Sequence, residues 1–301
     1  MIRCLEMVKF SIVVPLAPGR NAEVLESLKR ADYDEKDYEV IIEEGTDASV
    51  NRNNGVDKAK GEIILFLDDD AYVDRNLLKN GEDFFNTYKD VDIVGGPQLT
   101  PKNDKWFARI SGYAIASFFG SQQMSKRYKK SKLNFDGWNS ISSAVSFVKK
   151  EVFEKVRFKP GLFPGEDPEF YYNAKKNGFK IAYSPNIIVY HKRRDSLKGF
   201  LKQFYLYGKM RLKTGYVNLL FFIPSLFVLY SIALIFLAFV HWMFLIPLEL
   251  YIFITILFSL YEAIKNKSFF SIFLLPFFYI GIHFSYGIGF LRGIINKLVK
   301  N

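Results

Sequence analysis

Three consecutive aspartates, Asp68, Asp69 and Asp70, have the chemistry of a divalent-cation site. Like charges this close raise one another's pKa values, and a bound cation removes that cost. Carboxylate oxygens are the ligands that Mg²⁺ and Mn²⁺ prefer. If the backbone stays extended, Asp68 and Asp70 point to one side and bind the metal, while Asp69 points to the other and anchors the loop or the ligand. An ordinary acidic turn after a strand is the alternative interpretation.

A second acidic pair, Glu166–Asp167, lies in the segment PGEDPEF, which predicts the start of a helix because proline is tolerated in a first turn. These acids either cap that helix or supply a general base that deprotonates an acceptor hydroxyl. His191 directly follows a predicted strand, 187–190. A neutral imidazole can complete a carboxylate site for Mn²⁺, although a purely structural histidine fits the same position.

The segments around the aspartates predict alternating strands and helices. Short runs rich in β-branched and aliphatic residues predict strands over 10–15, 38–42 and 62–67, and the intervening segments predict helices over 21–30, capped by Asn21, and over 49–60. This alternation is typical of a parallel sheet with right-handed crossovers. Ligands of such sheets bind beyond the carboxyl ends of the strands, which is where the three aspartates fall.

The composition excludes several classes of protein. With 50% hydrophobic residues and 17% aromatic residues in 301, the chain is not disordered. A single cysteine, Cys4, excludes intramolecular disulfides and cysteine-ligated zinc. The net charge of +10 by itself suits nucleic acid, an anionic membrane or phosphorylated substrates. Because the basic residues cluster beside apolar segments and no nucleic-acid recognition element is evident, we expect no nucleic-acid partner.

The C-terminal part predicts a membrane region. Segments 217–240, 242–261 and 269–291 are each long and apolar enough to cross about 30 Å of hydrocarbon, the alternative being a buried helical core. Before them, residues 191–213 hold eight Lys and Arg against one acid, which favours an amphipathic helix on the cytosolic leaflet. No secretory signal precedes the polar part, so we expect a multi-pass protein of the cell membrane with a cytosolic catalytic domain. The topology of the third segment stays open.

The motifs SIVVP, EVII-EEGT, NRNNGVDKAKGEIILFLDDD and FPGEDPEF occur in the order seen in family 2 glycosyltransferases of the GT-A fold, and the chain resembles them from about Phe10 to His191. The resemblance implies inverting sugar transfer from a nucleoside-diphosphate sugar with Mg²⁺ or Mn²⁺. It implies an α/β GT-A domain with a Rossmann-like, mainly parallel sheet over 1–190. We expect a basic interfacial segment over 191–214 and a transmembrane helical region over 215–301.

The resemblance also assigns roles to individual residues. It implies metal ligation by Asp68, Asp70 and His191, and general-base catalysis by Asp167 with Glu166 beside it. It implies donor binding by the loop that begins at Pro15, Leu16 and Ala17, by Glu43 or Glu44 at the nucleobase, by Arg52 at the diphosphate (otherwise a surface arginine), and by Asp68 and Asp69. The sequence departs from the family's Asp-Asp-Gly-Ser at 43–46 and lacks a longer segment that usually follows, which weakens the prediction for the base.

We therefore predict a glycosyltransferase that acts on a membrane-held acceptor, namely a polyprenyl-linked saccharide. Two alternatives stay open. One is a polyprenyl-phosphate sugar synthase, in which the lipid phosphate itself is the acceptor. The other is a non-catalytic membrane scaffold that keeps a nucleotide-binding domain. Gln203 is not followed by the Arg-Trp of processive members, which argues against a polymerase.

Overall fold

The computed structural model describes residues 8–299, so Cys4 and the outermost residues of the predicted 1–190 and 215–301 domains lie outside the described residues. The described residues form two compact units: residues 8–101 with 126–192, and residues 102–125 with 193–299. Segment 102–125, which the sequence placed in the catalytic domain, therefore groups with the apolar helices. Its aromatic side chains explain this grouping, since Phe107 packs on Phe278 and Phe119 on Tyr279.

In the described residues of the first unit, a six-stranded sheet has the order β2-β1-β3-β7-β5-β8, and a smaller sheet has the order β4-β9-β6. Only β7 runs against its neighbours in the larger sheet, so the mainly parallel sheet is confirmed. Its central strands are apolar on both faces, as a sheet covered on both sides requires. The strands are β1 Phe10–Leu16, β2 Tyr38–Glu44, β3 Ile63–Leu67, β4 Ala71–Val73, β5 Ile93–Gly95, β6 Gln98–Leu99, β7 Val145–Lys149, β8 Ile181–Tyr183 and β9 Val189–His191.

The helices of both units are α1 Val24–Leu28, α2 Ala48–Lys58, α3 Leu77–Thr87, α4 Trp106–Ala116, α5 Phe118–Ser121, α6 Glu166–Lys176, α7 Leu197–Met210, α8 Ile223–Val240, α9 Ile246–Lys265 and α10 Ser271–Leu298. Asp47 caps α2 by accepting hydrogen bonds from two backbone N–H groups. The prediction that Asn21 caps the first helix was wrong: α1 begins at Val24, because the preceding residues form turns, one closed by the N–H of Arg20 donating to the carbonyl of Ala17.

In the second unit, α7 packs along α10 with the two backbones in close contact. A Cβ at Gly208 would lie 2.1 Å from the carbonyl oxygen of Tyr286, and one at Gly289 would lie 2.0 Å from that of Tyr205. The buried face of α7 includes Phe200 and Phe204. The amphipathic helix predicted within 191–214 is therefore present, and its apolar face packs on protein.

Within residues 8–299, three helical segments are long and apolar enough to cross a membrane. They are Leu219–Val240, Trp242–Lys265 and Ser271–Leu298, close to the three segments that the sequence predicted. Much of their apolar surface is exposed in the structure; Phe239, for example, is 90% exposed. An exposed apolar surface of this kind fits a lipid environment.

Gly55 fixes the distance between α2 and the sheet. A Cβ at this position would lie 2.4 Å from Cγ1 of the fully buried Val13. We expect Gly55→Ala to lower the free energy of unfolding by about 1–3 kcal/mol, because the overpacked β-branched neighbour has no room to yield. Thermal unfolding of the purified full chain in detergent measures the effect. The exposed Asn54→Ala on the same helix is the control, and equal stability of the two variants would contradict the prediction.

Candidate active site

The three aspartates lie directly after β3, in a turn closed by the N–H of Ala71 donating to the carbonyl of Asp68 at 3.2 Å. The expectation of an extended backbone was wrong, because the chain reverses here to enter β4. Asp68 and Asp70 nevertheless face one group: Nε2 of His191 lies 3.3 Å from Oδ2 of Asp68 and 3.1 Å from Oδ1 of Asp70. Pairing of β4 with β9, with Ala71 opposite His191, brings the histidine to this turn. We call Asp68, Asp69 and Asp70 the aspartate corner.

Each aspartate of the corner has a cationic partner. Nε of Arg20 lies 2.8 Å from Oδ2 of Asp69, and another nitrogen of the same guanidinium lies 3.1 Å from Oδ2 of Asp70. Arg52 lies 3.1 Å from Oδ1 of Asp68. The negative charge that the sequence assigned to a metal is thus compensated by protein cations in this structure.

The contacts of the corner shift its pKa values in opposite directions. Burial opposes ionisation of Asp68 and Asp70, but hydrogen bonds from His191 together with the positive charges of His191 and of Arg52 (at Asp68) or Arg20 (at Asp70) outweigh it and hold both pKa values below the ordinary range. Burial and the adjacent charge of Asp70 raise the pKa of Asp69 to about 6. Burial favours neutral His191, but its hydrogen bonds to Asp68 and Asp70 raise its pKa to about 9.

Arg52 connects the aspartate corner to the second acidic pair. Its guanidinium lies 3.1 Å from Asp68 and 3.2 Å from Oε1 of Glu166, and the residue is only 4% exposed. Burial disfavours its charge, but attraction by the carboxylates of Asp167, Glu166 and Asp68 outweighs burial and raises its pKa. Its burial excludes the alternative of a surface arginine. The guanidinium contacts carboxylates in this structure, and its role at a donor diphosphate stays a prediction.

Glu166 and Asp167 begin α6, as the sequence predicted. Glu166 is 5% exposed and accepts a hydrogen bond from the N–H of Gly165, so both of its oxygens have protein partners. Burial and the charge of Asp167 raise the pKa of Glu166 to about 7. Asp167 is half-buried and accepts a hydrogen bond from Oγ of Ser143. The carboxylate of Glu166 is therefore occupied by its ion pair with Arg52, and the carboxylate of Asp167 is the more accessible of the two.

The predicted donor-binding residues lie at the carboxyl ends of β1 and β2. Pro15 and Leu16 end β1, and the exposed Ala17 follows it. Glu43 is buried, and its carboxylate lies 2.6 Å from Nζ of Lys58 on α2, whereas Glu44 is exposed. These positions agree with the rule that ligands bind at this edge of the sheet. They do not by themselves identify the binding site of a nucleobase.

Sequence reasoning missed two asparagines of α2 that fix the surrounding loops. The amide of Asn51 donates to the carbonyls of Leu16 and Gly45, tying together the ends of β1 and β2. The amide of Asn53 donates to the carbonyl of Phe158 and accepts from its N–H. The sequence NRNN could have indicated these contacts. Asparagine is unfavourable in a helix interior, so several asparagines in one helix suggest that their side chains bind backbone groups of neighbouring loops.

Ser143 was also missed. It lies in the buried segment 140–146, where Ser146 bonds the hydroxyl of Tyr171 at 2.7 Å. Segment 140–146 mixes serines with apolar residues. This pattern does not distinguish a serine that binds a site carboxylate from one that is simply packed in the core.

In the described residues 8–299, no group of three or more His, Cys, Asp and Glu side chains forms a ready-made metal site. The donor set nevertheless suits a hard cation, because two carboxylates and one imidazole converge at the aspartate corner. Mg²⁺ is usually held by one or two carboxylates together with substrate phosphates. The residues present therefore fit a cation whose remaining ligands come from a bound phosphate compound.

The α/β sheet and the acidic groups at its carboxyl edge define the fold class of the GT-A transferases. A family model described as "Glycosyl transferase family group 2" matches residues 63–284. The chain belongs to this family and is a glycosyltransferase.

Two curated relatives and one solved structure are similar to the chain. It is 24% identical over 262 residues to the dolichyl N-acetyl-alpha-D-glucosaminyl phosphate 3-beta-D-2,3-diacetamido-2,3-dideoxy-beta-D-glucuronosyltransferase of Methanococcus voltae, covering 74% of this chain and 80% of that protein. It is 27% identical over 169 residues to glycosyltransferase AglE of Haloferax volcanii, covering 55% of this chain and only 51%, about half, of that relative. The mannosyltransferase PcManGT of Pyrobaculum calidifontis, solved with GDP-Man and Mn²⁺, has a TM-score of 0.54 at 14% identity, covering 96% of this chain and 88% of that one. This last likeness shows the fold.

Breaking the buried bridge at Arg52 should destabilise the first unit. We expect Arg52→Met to lower the free energy of unfolding by about 3–5 kcal/mol, because it leaves Asp68 and Glu166 without their cation. Thermal unfolding of the full chain in detergent measures the loss.

The matched control for this prediction is Lys180→Met, which removes an ion pair of 2.7 Å whose two side chains are 61% and 69% exposed. Its expected cost is below about 1 kcal/mol. Adding Glu166→Gln to Arg52→Met should recover part of the loss, because one unpaired charge disappears. An Arg52→Met protein as stable as the control would contradict the prediction.

Proposed function

We propose that the chain is an inverting, metal-dependent glycosyltransferase that moves a sugar from a nucleoside-diphosphate donor to a polyprenyl-linked saccharide held at the cytosolic face of a membrane. The observation that carries the proposal is the position of Arg52, which joins Asp68 and Glu166 through contacts of 3.1 and 3.2 Å. Two acidic motifs almost a hundred residues apart therefore belong to one site. A displacement reaction needs its donor groups and its base in such proximity.

Asp167 acts as the general base in this proposal. Its half-buried carboxylate accepts a hydrogen bond from Ser143, which orients it. The carboxylate accepts the proton of the acceptor hydroxyl as that oxygen attacks the anomeric carbon of the donor. Arg52 and Glu166 position the start of α6, so that Asp167 keeps a fixed place relative to the aspartate corner.

Asp68, Asp70 and His191 are the residues that would hold the divalent cation. A cation bound there supplies electrostatic stabilisation for the departing nucleoside diphosphate. Asp69 and the loop from Pro15 to Ala17 bind the rest of the donor, with Glu43 or Glu44 at the base. The similar fold of PcManGT, which was solved with GDP-Man and Mn²⁺, supports this class of donor and cation.

The acceptor class is supported by the curated relative and by the apolar helices. The Methanococcus voltae relative is named for transfer to a dolichyl-phosphate-linked sugar. In the part of the chain that the structure describes, three helices are apolar and long enough to span a membrane, so they would keep the enzyme where a lipid-linked acceptor diffuses. A saccharide acceptor is favoured over a lipid phosphate because the named relative acts on a sugar that is already linked.

Donor binding should depend on a divalent cation and on Asp70. We expect one member of a panel of UDP-, GDP- and dTDP-sugars to raise the melting temperature of the full chain with Mn²⁺, and to have little effect with EDTA. Asp70→Ala should abolish the shift, because the cation loses a ligand. The exposed Asp57→Ala is the control. Indifference of the wild-type protein to every sugar nucleotide would contradict the proposal.

Substitution of Asp167 should distinguish the two acceptor classes. We expect Asp167→Asn to lower transfer to a polyprenyl-linked saccharide by about 100-fold or more, which is the contribution of a general base. Transfer to a polyprenyl phosphate, which is already ionised, needs no base and should be spared. Radiolabelled transfer to each lipid measures both, with Asp136→Asn, 68% exposed, as the control. Wild-type transfer to the phosphate alone, unaffected by Asp167→Asn, would identify a polyprenyl-phosphate sugar synthase.

A further inference from the structure

Arg20 differs from the other cations at the aspartate corner in its exposure. Its side chain is 48% exposed, against 5% for Arg52 and 20% for His191. Arg52 and His191 are fixed by burial and by regular structure. Arg20 lies on a loop, and its side-chain contacts are with the carboxylates of Asp69 and Asp70.

The turn that carries Arg20 is not packed against other residues. The N–H of Arg20 donates to the carbonyl of Ala17 at 3.1 Å, Pro18 occupies the second position, and Gly19 has a φ of +74° in the third. This combination is typical of a type II turn. All four residues are exposed, and no atom lies within 4 Å of the place where a Cβ of Gly19 would be. The side-chain ion pairs therefore determine where the guanidinium rests, and solvent reaches the arginine side of these pairs, which weakens them.

The charges of the proposed ligands indicate how Arg20 responds to them. A divalent cation and the diphosphate of a sugar nucleotide carry opposite charges of equal size, so together they leave the charge balance of the corner unchanged. When a cation occupies Asp70, Arg20 loses a carboxylate partner and the phosphate oxygens offer a new one. A guanidinium can pair with phosphate through two parallel hydrogen bonds, as it does with carboxylates, so the diphosphate can replace the partner that Arg20 loses.

We propose that Arg20 is a donor-binding residue: in the free enzyme it neutralises Asp69 and Asp70, and with a divalent cation at the corner it pairs with the donor diphosphate. This rests on the proposed function, because it requires a cation and a sugar nucleotide at the same corner. The consequence is that one side chain opposes binding of the cation alone and favours binding of the cation together with a diphosphate.

The test uses Arg20→Gln in the purified full chain in detergent, with Mn²⁺ alone and inorganic pyrophosphate as probes, followed by calorimetry. Arg20→Gln should bind Mn²⁺ alone about twofold to fivefold more tightly, because a competing exposed ion pair is gone. It should bind pyrophosphate in saturating Mn²⁺ roughly tenfold to a hundredfold more weakly, because charge-assisted hydrogen bonds are lost. Arg20→Lys should lie between the two proteins.

Lys192→Gln is the matched control. It removes one positive charge from the same unit, from a side chain 46% exposed and paired with Glu23, and it should change neither affinity. If Arg20→Gln matches the wild type, or shifts both affinities in one direction, the inference is overturned while the proposed function stands. If Lys192→Gln changes the two affinities in the same way as Arg20→Gln, the inference is also overturned, because the changes would then reflect net charge alone. Wild-type protein that binds neither probe would contradict the proposed function and the inference together.

Discussion

Concentrated negative charge at one edge of the sheet is the constraint on which the rest of the site depends. The aspartate corner and the pair at the start of α6 place five carboxylates in a single region. Buried carboxylates without partners would be neutral or would destabilise the fold. Arg52 resolves this by lying between the two groups, so its burial is a condition for the architecture. Its own charge is retained because the carboxylates outweigh the cost of burial.

The sequence predicted the fold well where one physical signal dominates. Apolar runs such as those of β1 and β3 identified the central parallel strands, and the charge-free C-terminal segments identified the three long helices. The sequence-based predictions failed at two places where the chain turns. The turn at Asp69 and the start of α1 at Val24 depend on backbone hydrogen bonds that residue type alone does not reveal.

Residue types indicated which side chains could form a site, whereas the contacts among them could not be read from the sequence. Asp68, Asp70 and His191 were grouped from a family resemblance, and the structure places them within hydrogen-bonding distance. The partner of Arg52 at Glu166 is 114 residues away in the sequence, and no local pattern encodes such a distance. The hydroxyl of Ser143 is hidden for the same reason. Segment 102–125 groups with the apolar helices, which its sequence does not reveal, because aromatic residues on a helix fit a soluble core and a cluster of apolar helices equally well.

The pairing of the aspartates with protein cations has a consequence for the order of ligand binding. Here the carboxylates are already paired with Arg20, Arg52 and His191, so a cation must compete with protein charges. Phosphate oxygens shift that competition, because they add ligands for the cation and new partners for the displaced guanidinium. The proposed donor and its cation would therefore bind cooperatively, and Arg52, which contacts both Asp68 and Glu166, joins the aspartate corner to the helix start that carries Asp167.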